Sequence, residues 1–194
     1  MLTLRRLRRR RGQSVLLLGL WRDQAASVSL ELALILPLLV ALFLSGTEYV
    51  RFTILNQKLE RATAMVADLI AQSSALTTAE LASLFEIVDD TLQPFELSAD
   101  GRVIVSSVTG TSAAPVVNWQ ESFGTGTDTS KVGDTGGNAT LPNGLTLAEG
   151  ENVIVSEVYY EYQPILLDDV FQDTLLYRVS ANRPRFGSLA EPPS

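Results

Sequence analysis

Ala26-Ser-Val-Ser-Leu-Glu-Leu-Ala-Leu-Ile-Leu-Pro-Leu-Leu-Val-Ala-Leu-Phe-Leu-Ser-Gly46 is the stretch whose reading decides the fold. From Ala25 to Gly46 it runs for 22 residues. As a helix that is about 33 Å, enough to cross the hydrocarbon core of a bilayer. Two residues interrupt its character. Glu31 places a carboxylate where an ionised group costs on the order of 2.5–3.5 kcal/mol even on lenient insertion scales, so it calls for a partner and is a functional residue by default. Pro37 removes a backbone donor in mid-span and predicts a gentle kink, which membrane helices tolerate when neighbouring groups repair the freed carbonyl.

Charge is distributed unevenly on the two sides of this stretch. Residues 1–51 hold eight basic and three acidic side chains, whereas residues 52–194 hold seven basic and nineteen acidic ones. The arginines at 5, 6, 8, 9, 10, 11 and 22 precede the apolar run, and by the positive-inside rule they keep the N-terminus in the cytoplasm. Residues after Thr47 are then expected outside the inner membrane. An acidic external domain repels nucleic acid and anionic lipid, so the basic arm reads as a topology signal and no nucleic-acid partner is expected.

The chain has no cysteine and no histidine. Disulfides, thiolate nucleophiles, Ser-His pairs and the common zinc ligands are therefore excluded. No enzyme activity and no cofactor or metal is expected. A secretory signal peptide cleaved near Gly46 is a competing reading, but Leu44-Ser45-Gly46 is a poor match to a small-residue cleavage motif. A plain signal anchor is another, and it leaves Glu31 unexplained.

Beyond the apolar run the helical pattern continues. Phe52, Leu55, Leu59, Ala62, Val66 and Leu69 recur at spacings of three and four, and no Gly or Pro interrupts residues 47–75. Such a stripe packs either on the protein's own domain or on a neighbouring subunit. Thr77-Thr-Ala-Glu80 is a capping signature that opens an amphipathic helix carrying Leu81, Leu84, Phe85, Val88 and Leu92, ended by Pro94. From Gly101 the period changes to two, and strands are predicted over 102–109, 116–121, 152–162 and 174–181. The polar stretch 123–138 reads as a surface loop. Tyr159, Tyr160 and Tyr162 alternate along their strand, which predicts packed aromatics with one exposed ring.

The fold class is α+β: a long N-terminal transmembrane helix extends into an amphipathic helix and packs with a small antiparallel sheet. The expected divisions are a basic cytoplasmic leader (1–26), a transmembrane helix (27–47), an amphipathic extension (48–75) and an external domain (76–194) with a flexible loop over 122–140.

Several motifs in order resemble a known family. A glutamate near the start of the apolar run, Leu36-Pro37-Leu38-Leu39 within it and Gly46-Thr-Glu48-Tyr49-Val-Arg51 at its end are similar to the TadE/TadG-like minor pilins, or pseudopilins, of the bacterial tight-adherence (type IVb) pilus system. Val103-Ile-Val-Ser-Ser-Val108, Trp119, Leu141-Pro142, Val153 to Pro164 and Arg183-Pro184-Arg185 are similar to the external domains of such proteins. The resemblance implies a pilin-like fold and a non-enzymatic role in pilus assembly. Its implied partners are the membrane, other pilins, the assembly machinery and a prepilin peptidase.

In that family a membrane peptidase removes the basic leader. With Glu31 counted as fifth residue of the mature chain, the cut falls between Ala26 and Ser27, with Ala26 standing where the family's leader commonly ends in glycine. The new amine at Ser27 would be positive at neutral pH and would pair with Glu31 of the same or a neighbouring helix. Glu31, Pro37 and Glu48 are the expected assembly residues. The alternative function is a signal-anchored periplasmic binding or sensor domain, and a third is a carboxylate-based envelope enzyme. Asp89-Asp90 and Asp168-Asp169 read as solvated surface, Asp128-x-Ser130 is a poor calcium loop, and Asn138-Ala-Thr140 is a glycosylation sequon of meaning only where that machinery exists.

Overall fold

A computed structural model describes residues 24–166 and 172–194. The arginines of the leader and the Asp168-Asp169 pair lie outside these residues. The chain divides into two compact units, 1–47 and 48–194. Helix α1 spans Gln24–Ala71 and carries Pro37 within it. In the first unit its side chains from Ser27 to Phe43 are all exposed, Leu34 by 72 % and Phe43 by 73 %. A helix apolar on every side has no core of its own to face, and this one is long and apolar enough to cross a membrane. Near its apolar end Ser45 Oγ and Thr47 Oγ1 donate to the carbonyls four residues back, at 2.8 and 2.9 Å, so neither hydroxyl needs water.

In the second unit the remaining turns of α1 behave differently. Leu55, Leu59, Ala62, Val66 and Ile70 are buried in one cluster with residues of the following helix and the sheet. The stripe predicted from the sequence therefore packs on its own domain. Its final member is Ile70 instead of the predicted Leu69, because an α-helix turns through 3.6 residues and outruns a strict heptad. The extension predicted to residue 75 ends at Ala71, whose carbonyl accepts a bond from Arg185 N at 2.8 Å in place of another helical turn.

Helix α2 (Thr78–Leu92) starts at a complete capping box: Thr77 Oγ1 accepts from Glu80 N, and Glu80 Oε2 accepts from Thr77 N at 3.0 Å. Leu81, Phe85, Val88 and Leu92 form its buried face. Lys58 of α1 donates to the carbonyls of Thr91 and Gln93 at 3.1 and 2.7 Å, placing a cation at the α2 C-terminus where the helix dipole favours one. Asp89 points to the next short helix, α3 (Leu97–Asp100), and accepts from Leu97 N at 2.7 Å and Ser98 N at 3.0 Å. It is a capping carboxylate, a role the solvated-surface reading had missed.

Strands β1 (Gly101–Thr109), β2 (Val116–Gly124), β3 (Asn152–Tyr162) and β4 (Thr174–Asn182) form one antiparallel sheet in the order β2-β1-β3-β4. A bulge at Asn118 shifts the β1–β2 register after Ser107. One face, with Val103, Val105, Trp119, Ile154, Val158 and Tyr160, packs in the cluster that holds α1 and α2. The other face carries Val108, Val117, Val153 and Val155 and is covered by the β2–β3 connection through Val132, with Leu141, Leu145 and Leu147.

The stretch predicted as a flexible loop over 122–140 is thus part strand and part cover. Residues 122–124 extend β2, and at Gly124 the chain turns with φ +97°, where a Cβ would stand 2.3 Å from the Gly101 carbonyl oxygen. Val132 is 2 % exposed. A sparse apolar content concealed one well-placed valine. The C-terminal tail is likewise fastened: Leu189 O accepts from Ser107 Oγ and Trp119 Nε1 at 2.7 and 2.8 Å, and Ser194 pairs with Leu76 and Thr78 through its backbone.

Leu59, fully buried between helix and sheet, is the position at which the stripe should matter most. Leu59→Ala is expected to destabilise the second unit by about 2–5 kcal/mol in denaturant unfolding of the full chain in detergent, with far less effect from Leu69→Ala.

Candidate functional site

The five residues marked in the sequence fall into two groups. Ala26, Ser27, Glu31 and Pro37 lie on α1 within the first unit, and Ser27, Glu31 and Pro37 are exposed. Ser27 and Glu31 are four residues apart and so share one face of the helix. Both side chains are exposed on that face.

Glu48 is different: it is 2 % exposed. Its carboxylate is the first charged group of the second unit, and its partners among the described residues belong to that unit. Tyr162 Oη donates to Oε1. The backbone N–H groups of Leu166 and Ile165 donate to Oε2 at 3.1 and 3.4 Å. Arg51 Nη1 stands 3.8 Å from Oε1, and its guanidinium lies 5.4 Å from the Phe95 ring centre and 5.6 Å from that of Tyr162. Phe52 meets Tyr162 edge-on at 5.2 Å. Burial alone would raise the Glu48 carboxyl, but the bonds from Tyr162, Leu166 and Ile165 and the charge of Arg51 outweigh it and hold the group below its ordinary 4.5. The Tyr162 phenol is pushed up to about 12 by burial and by its bond to Glu48.

A second buried carboxylate escaped the sequence reading. Glu157 on β3 is fully buried and gathers the β2–β3 connection onto the sheet. It accepts from Ser130 Oγ, from Lys131 N at 2.9 Å and from Tyr177 Oη at 2.8 Å. Lys131 Nζ sits 3.7 Å from the Tyr177 ring centre. Tyr159 stacks at a tilt on Tyr177, 4.9 Å between centres, and donates to Thr129 O at 2.9 Å. The three tyrosines of β3 are consequently all buried, where one exposed ring was expected, because both faces of the sheet are covered. The signal in the sequence is an acidic residue in mid-strand, between Val155 and Val158.

A polar cavity of 310 Å³ lies beside this cluster, lined by Arg102, Gln120, Ser130 and Asp134 among others. Arg102 is engaged with Gly126 O, Asp128 O and Ser122 Oγ, and among the described residues no group of acidic side chains is placed to hold a metal ion. Among the described residues the two buried carboxylates accept from phenols, a serine hydroxyl and backbone amides.

The exposed apolar run from Ser27 to Phe43, with Glu31 in it, and the inward Glu48 all lie in the stretch that a family comparison singles out. Residues 26–68 match the model of the TadE-like protein family. This TadE-like segment includes Ala26, Ser27, Glu31, Pro37 and Glu48, and it ends two residues before Ile70. The likeness drawn above over β1 to β4 lies outside the matched residues. No curated protein and no solved structure matches the chain. The TadE-like match points to the tight-adherence pilus system, and the exposed apolar helix is compatible with membrane anchoring.

Because the Glu48 carboxyl is held below 4.5, the stability it adds is present above that pH and is lost as pH falls through its folded value. Glu48→Gln is expected to unfold at lower denaturant than wild type at pH 7, by about 1–3 kcal/mol, and to show a flatter loss of stability below pH 4.5. Unfolding midpoints of both proteins measured from pH 7 to pH 3 check this.

Proposed function

We propose that the protein is a membrane-anchored minor pilin, or pseudopilin, acting in assembly of a tight-adherence type IVb pilus. The observation that carries the reading is the coincidence of the TadE-like match at residues 26–68 with an exposed apolar run from Ser27 to Phe43 in which Glu31 is the one charged side chain. In this reading residues 27–47 cross the inner membrane, the arginine-rich leader stays in the cytoplasm, and the 48–194 unit lies outside. A prepilin peptidase cuts between Ala26 and Ser27. Glu31 then meets the freed amine of Ser27 on a neighbouring helix and registers the subunit as it enters the filament or its base. Pro37 frees the carbonyl of Ala33, giving the packed helices a local adjustment point. Glu48 contributes from within, by fixing the first turn after the apolar run to the end of β3. The protein acts by assembly and not by catalysis.

Removing one partner of a poorly solvated ion pair strands the other charge and costs roughly 3–5 kcal/mol. Glu31→Ala is therefore expected to reduce surface pili by a hundredfold or more at unchanged protein level and unchanged membrane association, counted on sheared filaments. Glu31→Asp should retain part of the function. Normal piliation in a Glu31→Ala strain contradicts the proposed role of Glu31.

A further inference from the structure

The sheet of the second unit has β2 at one edge and β4 at the other, and the main-chain N–H and C=O groups on an outer edge are a template for a further strand. The chain closes part of one edge itself. At the start of β2, Val117 N donates to Gly137 O at 3.0 Å, Gly136 N donates to Val117 O at 2.7 Å, and Ala139 N donates to Pro115 O at 2.7 Å. There the cover stops. Among the described residues, 118–123 of β2 pair through the main chain only with β1, and β4 pairs only with β3. The nine residues of β4 hold their register on β3 without a break, include no proline, and leave Leu175 54 % exposed. A long, regular edge of this kind accepts another strand.

Charge decides which strand. The one charged residue of β2 is Glu121, and that of β4 is Arg178. Phe123, Val103, Val158 and Arg178 stand in line across the sheet, and Glu121, Val105, Ser156 and Ser180 form the row beside them. Residues opposite one another share a face, and Val103, Val105 and Val158 lie on the face that packs on α1 and α2, so both charges are on that side. Glu121 is exposed, while Arg178 is half-buried and donates to Asn56 Oδ1 on α1 and to Tyr177 O. The antiparallel ladders β2–β1, β1–β3 and β3–β4 make β2 and β4 run in opposite directions. A second copy set beside the first in the same orientation therefore presents its β2 antiparallel to β4. With the rows continued, its Glu121 falls opposite Ser180 and diagonal to Arg178, where Cβ atoms are about 7–8 Å apart and a long side chain reaches across. Pairing two like edges instead brings Arg178 toward Arg178 or Glu121 toward Glu121, which is unfavourable.

We infer that β4 of one copy pairs with the open part of β2 of the next, so that the four-stranded sheet continues from subunit to subunit. The contact is heterologous: every added copy brings one open edge of each kind, and the pairing repeats along a row. The inference goes beyond the proposed function and does not depend on it, because it needs only two copies side by side in one orientation.

The absence of cysteine makes a direct test available. Continuing the row Ser122, Ile104, Glu157 and Val179 sets Val179 of one copy opposite Ser122 of the next. Full-length Val179→Cys and Ser122→Cys proteins in detergent are mixed and treated with a short bis-maleimide. The mixture is expected to give several-fold more cross-linked dimer than either variant alone, or than Val179→Cys mixed with Ile87→Cys, whose site is exposed on α2. Adding Glu121→Lys to the Ser122→Cys partner should lower that yield several-fold. Dimer formed as readily by one variant alone overturns the head-to-tail pairing, and a yield no higher than with Ile87→Cys overturns contact between the edges. Amide exchange of the unsubstituted protein is a second readout that no variant's folding can disturb. Exchange over 174–182 is expected to slow several-fold as copies per micelle increase, and an unchanged rate overturns the inference.

Discussion

The turn of α1 around Glu48 is the constraint on which the rest of the structure depends. On its N-terminal side the helix is apolar in every direction and exposed, a surface that water does not stabilise. On its C-terminal side only one stripe is apolar, and that stripe is the floor of a core shared with α2 and the sheet. A helix that changes surroundings within one turn needs that turn held firmly. Glu48 does so through a phenol at the end of β3 and two backbone amides just beyond it, so that the first turn of the second unit and the far edge of its longest strand are joined across 114 positions of sequence.

The sheet repeats the same device on its other face. Glu157 is buried beneath the β2–β3 connection and takes donors from Ser130, Lys131 and Tyr177. Both carboxylates accept from tyrosine and from main-chain N–H groups, which is the arrangement that lets a buried anion offset its lost hydration. Tyrosine suits this because its ring belongs to the core while its hydroxyl is the donor. The two sites together fasten an acidic domain without a disulfide, and the tail adds Leu189 and Arg185 as further ties.

Much of the architecture was legible in the sequence because it is written in local patterns. The long apolar helix, the capping box at Thr77 and Glu80, and the four strands appear where periodicity placed them, with β1, β2 and β4 a little longer than read. What the sequence concealed is non-local. Leu69 and Ile70 are both apolar neighbours, and only the true helical pitch chooses between them. Val132 stands alone in a polar segment, so nothing nearby announces that it caps the second face of the sheet. Asp89 looks like half of a solvated pair until α3 arrives to be capped. Glu48 was marked from its place at the end of a resembling motif, and the structure turns its carboxylate inward, toward a tyrosine no local rule could pair with it. Ser27, Glu31 and Pro37 are exposed, and no partner within the described residues marks them.

The proposal centres on a freed amine at Ser27 for Glu31 to meet. The N-terminus of the protein extracted from the membranes of piliated cells, determined by intact mass and terminal sequencing, tests it most directly. The account predicts a mature chain that begins at Ser27. A membrane-bound chain that still begins at Met1 would contradict it.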